Sequence, residues 1–198
     1  MKKKFLTILI CIITLIFIGT TISALKKEPK PSVFVDNKTA LQSNDPIDLI
    51  EYALKQQNVN GKKIDIQSQE INESDIVIKY LYEDDGNTLG EGLVYARKKD
   101  NYLEYVDGIN TKIDKTIAFT HQGITYSNND KQFSIESGYI NNKDIDTIKL
   151  SYVNKKYVLI KLDGKQNTFQ YANWHGNVAV KSIIAYDNKE KIIYEYKW

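Results

Sequence analysis

Apolar positions along this chain change their period twice, and each change predicts a different element. Residues 5–25 carry no charge over 21 positions, directly behind Met1-Lys2-Lys3-Lys4. About 20 apolar residues suffice for a helix to cross a bilayer. The pattern therefore predicts one N-terminal transmembrane helix, a signal anchor over residues 1–25. The basic cluster before it places the rest of the chain outside the membrane. Residues 26–43, with Pro29-Lys30-Pro31 and no sustained period, read as an extended linker.

A helical period begins at residue 44. Asn44-Asp45-Pro46 supplies an N-cap carboxylate and a proline at the first helical position. Ile47, Ile50, Ala53 and Leu54 then form one apolar stripe, fading near Gln57–Asn58. From Lys63 the period falls to two. Ile76, Ile78, Tyr80 and Tyr82 share one face, and Val77, Lys79 and Leu81 the other. Turns at residues 83–87 and 99–101 make this region a helix on a four-stranded antiparallel meander. Further strands are expected at 116–120, 132–138, 147–153, 157–162, 168–171, 178–186 and 191–198. Residues 154–156, 163–165 and 188–190 are the expected hairpin turns. The predicted fold class is α+β to mostly β: the N-terminal transmembrane helix, one amphipathic helix with an antiparallel meander, and a β-sandwich-like C-terminal half. It divides into a small α+β module over 44–110 and an all-β module over 111–198, or forms one continuous domain over 44–198.

Two stretches carry a resemblance. Leu89-Gly90-Glu91-Gly92-Leu93-Val94-Tyr95 is one; the other runs from Ala185 through Asp187-Asn188-Lys189-Glu190 to Ile192-Ile193-Tyr194-Glu195-Tyr196. In these the chain is similar to uncharacterised membrane-anchored or secreted extracytoplasmic proteins of Bacillus-type, low-GC Gram-positive bacteria. The resemblance implies a fold, with a hairpin around Asp187–Lys189, and brings no catalytic residues with it.

Composition narrows the chemistry. Beyond residue 25 the chain holds 24 basic against 25 acidic residues, and no linear stretch is a basic patch of the kind nucleic acids need. No nucleic acid partner is expected. The single Cys, Cys11, lies in the apolar segment, so the rest of the chain has no thiol or disulfide chemistry. Leu9 and Ile10 before it are poor neighbours for a lipidation site. A cleaved signal peptide and secreted product is the alternative to the anchor. Ile22-Ser23-Ala24 is then the best cleavage site, although Ile22 stands where a small residue is preferred.

Two histidines, His121 and His175, sit in turn-like contexts and are too few for a zinc site without unseen carboxylates. Residues 83–87 place Gly86 fourth, not sixth as a calcium loop requires. No metal and no cofactor are expected. Ser134 and Ser137 read as solvent-facing strand positions, outside any nucleophile elbow. Gly90 and Gly92 flank Glu91 within a strand, which marks a bulge or a close backbone approach. The ligand-binding residues selected are Trp174 and His175, adjoining in a loop, with Glu91 opposite them; no catalytic residues are assigned. The expected function is a membrane-tethered extracytoplasmic binding or accessory module. Its partner would be an envelope component or a membrane protein. An envelope-acting hydrolase or transferase and a secreted inhibitor or immunity-type protein are the alternatives.

Overall fold

The alternation of Ile76, Ile78, Tyr80 and Tyr82 with Val77, Lys79 and Leu81 does give a strand, but one with almost no solvent face. Both sides of it are covered, and that fact organises the molecule. The computed structural model describes residues 40–198 except 129, 130, 165, 177 and 178. The apolar segment 1–25 and the linker as far as residue 39 lie outside the described residues. Among the described residues no helix is long and apolar enough to cross a membrane. The protein is mostly antiparallel β, with one short helix.

Helix α1 (Pro46–Gln56) starts where Asp45 accepts the Ile47 amide at 2.9 Å, and Pro46 fills a position whose N–H has no helical partner. Its stripe of Leu49, Ile50, Ala53 and Leu54 is fully buried. It packs on a five-stranded sheet ordered β1-β5-β4-β3-β2. These strands are β1 (Gln42–Ser43), β2 (Lys62–Asn72), β3 (Asp75–Glu83), β4 (Leu89–Lys98) and β5 (Leu103–Lys112). The expected meander is thus present, with one extra edge strand: Gln42 and Ser43, read as linker, pair with Glu104 and Leu103.

Seven strands follow, in two sheets. β6 (Gln122–Ser127), β7 (Gln132–Tyr139) and β10 (Thr168–Asn173) form one sheet, ordered β10-β7-β6. β8 (Thr147–Tyr152), β9 (Tyr157–Lys161), β11 (Val180–Tyr186) and β12 (Ile192–Lys197) form the other, ordered β12-β11-β8-β9. The hairpins at 154–156 and 187–191 close as expected. The three-stranded sheet is shared between two cores. Ile124, Phe133 and Ile135 pack with Val77, Leu93 and Tyr95 of the five-stranded sheet. Phe169 and Tyr171 pack with Ile148, Leu150 and Ile183 of the four-stranded one. Residues Ala40–Trp198 accordingly form one compact unit.

Three local expectations are corrected. The strand expected at 116–120 is absent apart from a single bridge between Phe119 and Ile140, and β6 lies at 122–127 instead. Side chains hold the backbone here in place of a ladder: Asp114 accepts the Thr116 amide at 2.8 Å, and Asn141 donates to the carbonyls of Asp114 and Ile117 at 2.8 and 2.9 Å. The turn near Gly164 is not a hairpin, because β9 pairs with β8 while β10 crosses to β7. Ser134 and Ser137 are buried, since β7 is the central strand of a sheet with both faces covered.

The Gly90-Glu91-Gly92 stretch is not bulged. The β3–β4 ladder runs without a shift, pairing Tyr82 with Gly90 and Tyr80 with Gly92. Each ring lies across the glycine opposite. A Cβ on Gly92 would stand 2.1 Å from Tyr80 Cζ, and one on Gly90 2.2 Å from Tyr82 Cζ. The two glycines therefore make room for two buried tyrosines under helix α1, and Glu91 between them points to the other face. Gly92→Ala is expected to destabilise the fold by about 1–3 kcal/mol through overpacking. Gly86→Ala, in a turn with no atom closer than 3.4 Å to the added carbon, should be nearly neutral. Urea unfolding of the two variants checks this; equal midpoints would mean that the rings yield freely.

Candidate functional site

The contact between the five- and three-stranded sheets is apolar in the middle and polar at both ends. At one end, Lys79 and Glu91 are fully buried with 3.6 Å between Nζ and Oε2. Lys79 donates to the carbonyls of Gly138 and Phe169 at 2.7 and 2.8 Å, so its ammonium joins β3 to β7 and β10. Thr120 donates its hydroxyl to Glu91 Oε1. Burial lowers the Lys79 pKa from 10.5 to about 8, and the Glu91 carboxylate opposes that shift.

The other end opens to solvent and forms a cleft of about 510 Å³. Its wall includes Trp174, His175, Phe133, Lys131, Asp75 and Glu73. Trp174 and His175 occupy the turn after β10. The indole packs 5.1 Å from the Phe133 ring and remains partly exposed, and His175 is exposed. Asp75 is almost wholly buried and well bound: it accepts from the Tyr95 hydroxyl at 2.7 Å and from Lys131 at 2.9 Å. Arg97, the only arginine in the chain, lies 3.7 Å from Asp75 and donates to the hydroxyls of Tyr95 and Tyr126. Lys131 also reaches Glu73 at 3.4 Å. The cleft thus offers an aromatic edge and an imidazole beside a charge cluster whose inner carboxylate is bound by Tyr95 and Lys131. Such a combination suits the recognition of a polar chain or a protein loop.

Of the three residues selected from sequence, the structure brings Trp174 and His175 to one cleft and places Glu91 elsewhere. Asp75 pairs with Arg97 across the β3–β4 ladder, six positions from Glu91 along β4, a separation of roughly 20 Å at strand spacing. Glu91 is sealed between sheets, where no ligand meets it. His121 is in a third place: its Nε2 lies 2.7 Å from Glu136 Oε2, and its ring makes an edge contact with Trp198. Sequence reasoning missed Asp75, Lys131 and Arg97. The one available signal was Arg97 itself, a lone arginine in a lysine-rich chain, since a planar fork can bind two hydroxyls at once. Among the described residues no group of three or more His, Cys, Asp or Glu converges as a metal site.

A wider hollow between residues 142–146 and 187–193 is less suited to ligand work. Asp187 there already accepts the amides of Lys189 and Lys191 at 2.8 and 2.9 Å, and Asp146 is tied to Thr147 and Lys161. Comparison of the chain with family models, curated proteins and solved structures finds no match.

The buried lysine gives a signed pH dependence. Its folded pKa, about 8, lies below the unfolded value near 10.5, so the unfolded chain binds more protons in that window. Stability contributed by this site should therefore rise as pH increases from about 8 toward 10. Unfolding free energies of the wild type and of Lys79→Met/Glu91→Gln, measured from pH 7 to 10, should diverge in the wild type's favour with rising pH. Parallel profiles would mean that Lys79 titrates as an ordinary exposed lysine.

Proposed function

We propose that this chain is an extracytoplasmic binding or accessory module, held at a membrane by its N-terminal apolar segment, with the Trp174–His175 cleft as its recognition surface. The charge-free run at residues 5–25 behind three lysines supports the placement. The cleft carries the functional reading. It joins a partly exposed indole and an exposed imidazole to a rim formed by Lys131 and Glu73. Aromatic rings bind sugars and peptides against their faces while polar rims set orientation. The inner charges, Asp75 and Arg97, are engaged with Tyr95, Tyr126 and each other, which suits a rigid support better than proton transfer.

The ligand belongs either to the cell envelope or to a neighbouring membrane protein, and the cleft itself reports which. A photo-cross-linking amino acid at His175 should capture one dominant species in intact cells. The same group at Lys55, exposed on helix α1, should not. A membrane protein in the adduct makes the chain an accessory subunit, and wall glycan makes it an envelope binder. Equal capture at both positions, or capture at neither, would overturn the cleft as the recognition surface.

A further inference from the structure

Lysines in the two halves of this protein behave differently. In the first half they stand beside carboxylates: Lys62 with Asp85 at 2.7 Å, Lys63 with Glu83 at 2.6 Å, Lys112 with Asp84 at 3.0 Å. Residues 40–127 hold nine basic against fifteen acidic residues, whereas residues 143–198 hold ten lysines against six carboxylates. The excess is gathered on one face. Lys149, Lys155, Lys156, Lys181 and Lys197 line a single cleft of about 440 Å³ on the four-stranded sheet, and no carboxylate among the described residues lines it. They come from β8, the β8–β9 turn, β11 and β12, so no linear stretch reveals them. Among the described residues only Lys197 of these five has a carboxylate partner, Glu195 at 2.8 Å, and Lys149 lies over the Tyr157 ring at 4.7 Å. Lys155, Lys156 and Lys181 are exposed and make no ion pair with the described residues.

Apolar groups stand among these cations. Val153 at the hairpin tip is 61% exposed, Tyr157 and Trp198 are each 59% exposed, and Leu159 is 57% exposed. A soluble polyanion would satisfy the lysines and leave a valine and a leucine in water. The headgroup layer of a bilayer satisfies both: phosphates meet the ammoniums, Trp and Tyr rest at the interface, and aliphatic groups enter the acyl boundary. We propose that this face of the four-stranded sheet docks on an anionic lipid surface, with the Val153 hairpin tip, Tyr157 and Trp198 entering the headgroup layer. The inference stands on the charge and exposure of this face, independently of the N-terminal anchor and of the Trp174 cleft.

The two tryptophans allow a direct test, because Trp174→Phe leaves Trp198 as the only indole. The full-length protein with that substitution is mixed with nanodiscs containing brominated phosphatidylcholine, with or without phosphatidylglycerol. Trp198 emission should be quenched in the anionic discs and unquenched in the zwitterionic ones. Lys155→Gln/Lys156→Gln/Lys181→Gln should abolish the quenching while leaving thermal unfolding unchanged. Each lysine facing an anionic surface strengthens association about fivefold, so three together are worth roughly a hundredfold. Equal quenching in both discs, or quenching that survives the triple substitution, overturns the proposal. So does an absence of quenching in anionic discs; a Trp198 response to soluble polyphosphate would then assign the face to a dissolved polyanion.

Discussion

The Lys79 ammonium is the point at which three strands from two sheets are held to one arrangement. Removing a charge of this kind from water costs several kcal/mol, so a buried ion pair is weak evidence of net stability. Its consequence here is geometric. With Gly138 and Phe169 carbonyls as acceptors and Glu91 as counter-ion, the ammonium can be satisfied in one register of β3 against β7 and β10. A slip by one residue along β3 would bring an apolar side chain to those carbonyls and turn the charge toward the tyrosines under the helix. The apolar contacts of Val77, Leu93 and Ile135 supply attraction between the sheets, and the polar ends decide where that attraction is exerted.

Much of this was legible in the chain. The helix was readable because Asp45, Pro46 and a four-residue apolar stripe agree with one another. The meander was readable because β2 to β5 are consecutive and joined by short polar turns. What escaped reading depends on layers. Alternation reveals that a strand has two faces, but β3 and β7 alternate between one buried face and another. Ser134 and Ser137 looked solvent-facing only because a third sheet was not foreseen. Glu91 looked available to a ligand for the same reason. Its flanking glycines read as a bulge or a close backbone approach, whereas the strand is regular there and the groups lying over them are the rings of Tyr80 and Tyr82 from the neighbouring strand. The lysine-rich face was invisible to any scan along the sequence, because its members come from four separate elements.

Charge is distributed along the same stack. The helix and five-stranded sheet carry the acidic excess, and their exposed lysines are largely paired. The four-stranded sheet and its β8–β9 turn carry the basic excess, and among the described residues Lys149, Lys155, Lys156 and Lys181 there have no carboxylate partner. Unpaired like charges repel one another and lower stability slightly, but they concentrate counter-ions at the surface and steer anionic partners toward it. The three-stranded sheet between them belongs to both cores and to the wall of the Trp174 cleft through Lys131 and Phe133. A partner at that cleft and a charged surface at the basic face would engage different layers of one body.

The same ion-pair chemistry occurs at both ends of the inter-sheet contact, and exposure alone separates their roles. At the closed end both members are 0% exposed, so every hydrogen bond they make is internal. At the open end Asp75 is 2% exposed while its partner Lys131 is 38% exposed. A buried carboxylate fixes one side of that pair, and the cation can exchange water for a ligand without abandoning it. Tyr95 and Arg97 hold Asp75 from the protein side, so a ligand's contact with Lys131 would not leave the carboxylate unsatisfied. That asymmetry separates a sealed clasp from a solvent-facing pair, and the solvent-facing pair lies in the cleft that Trp174 and His175 also line.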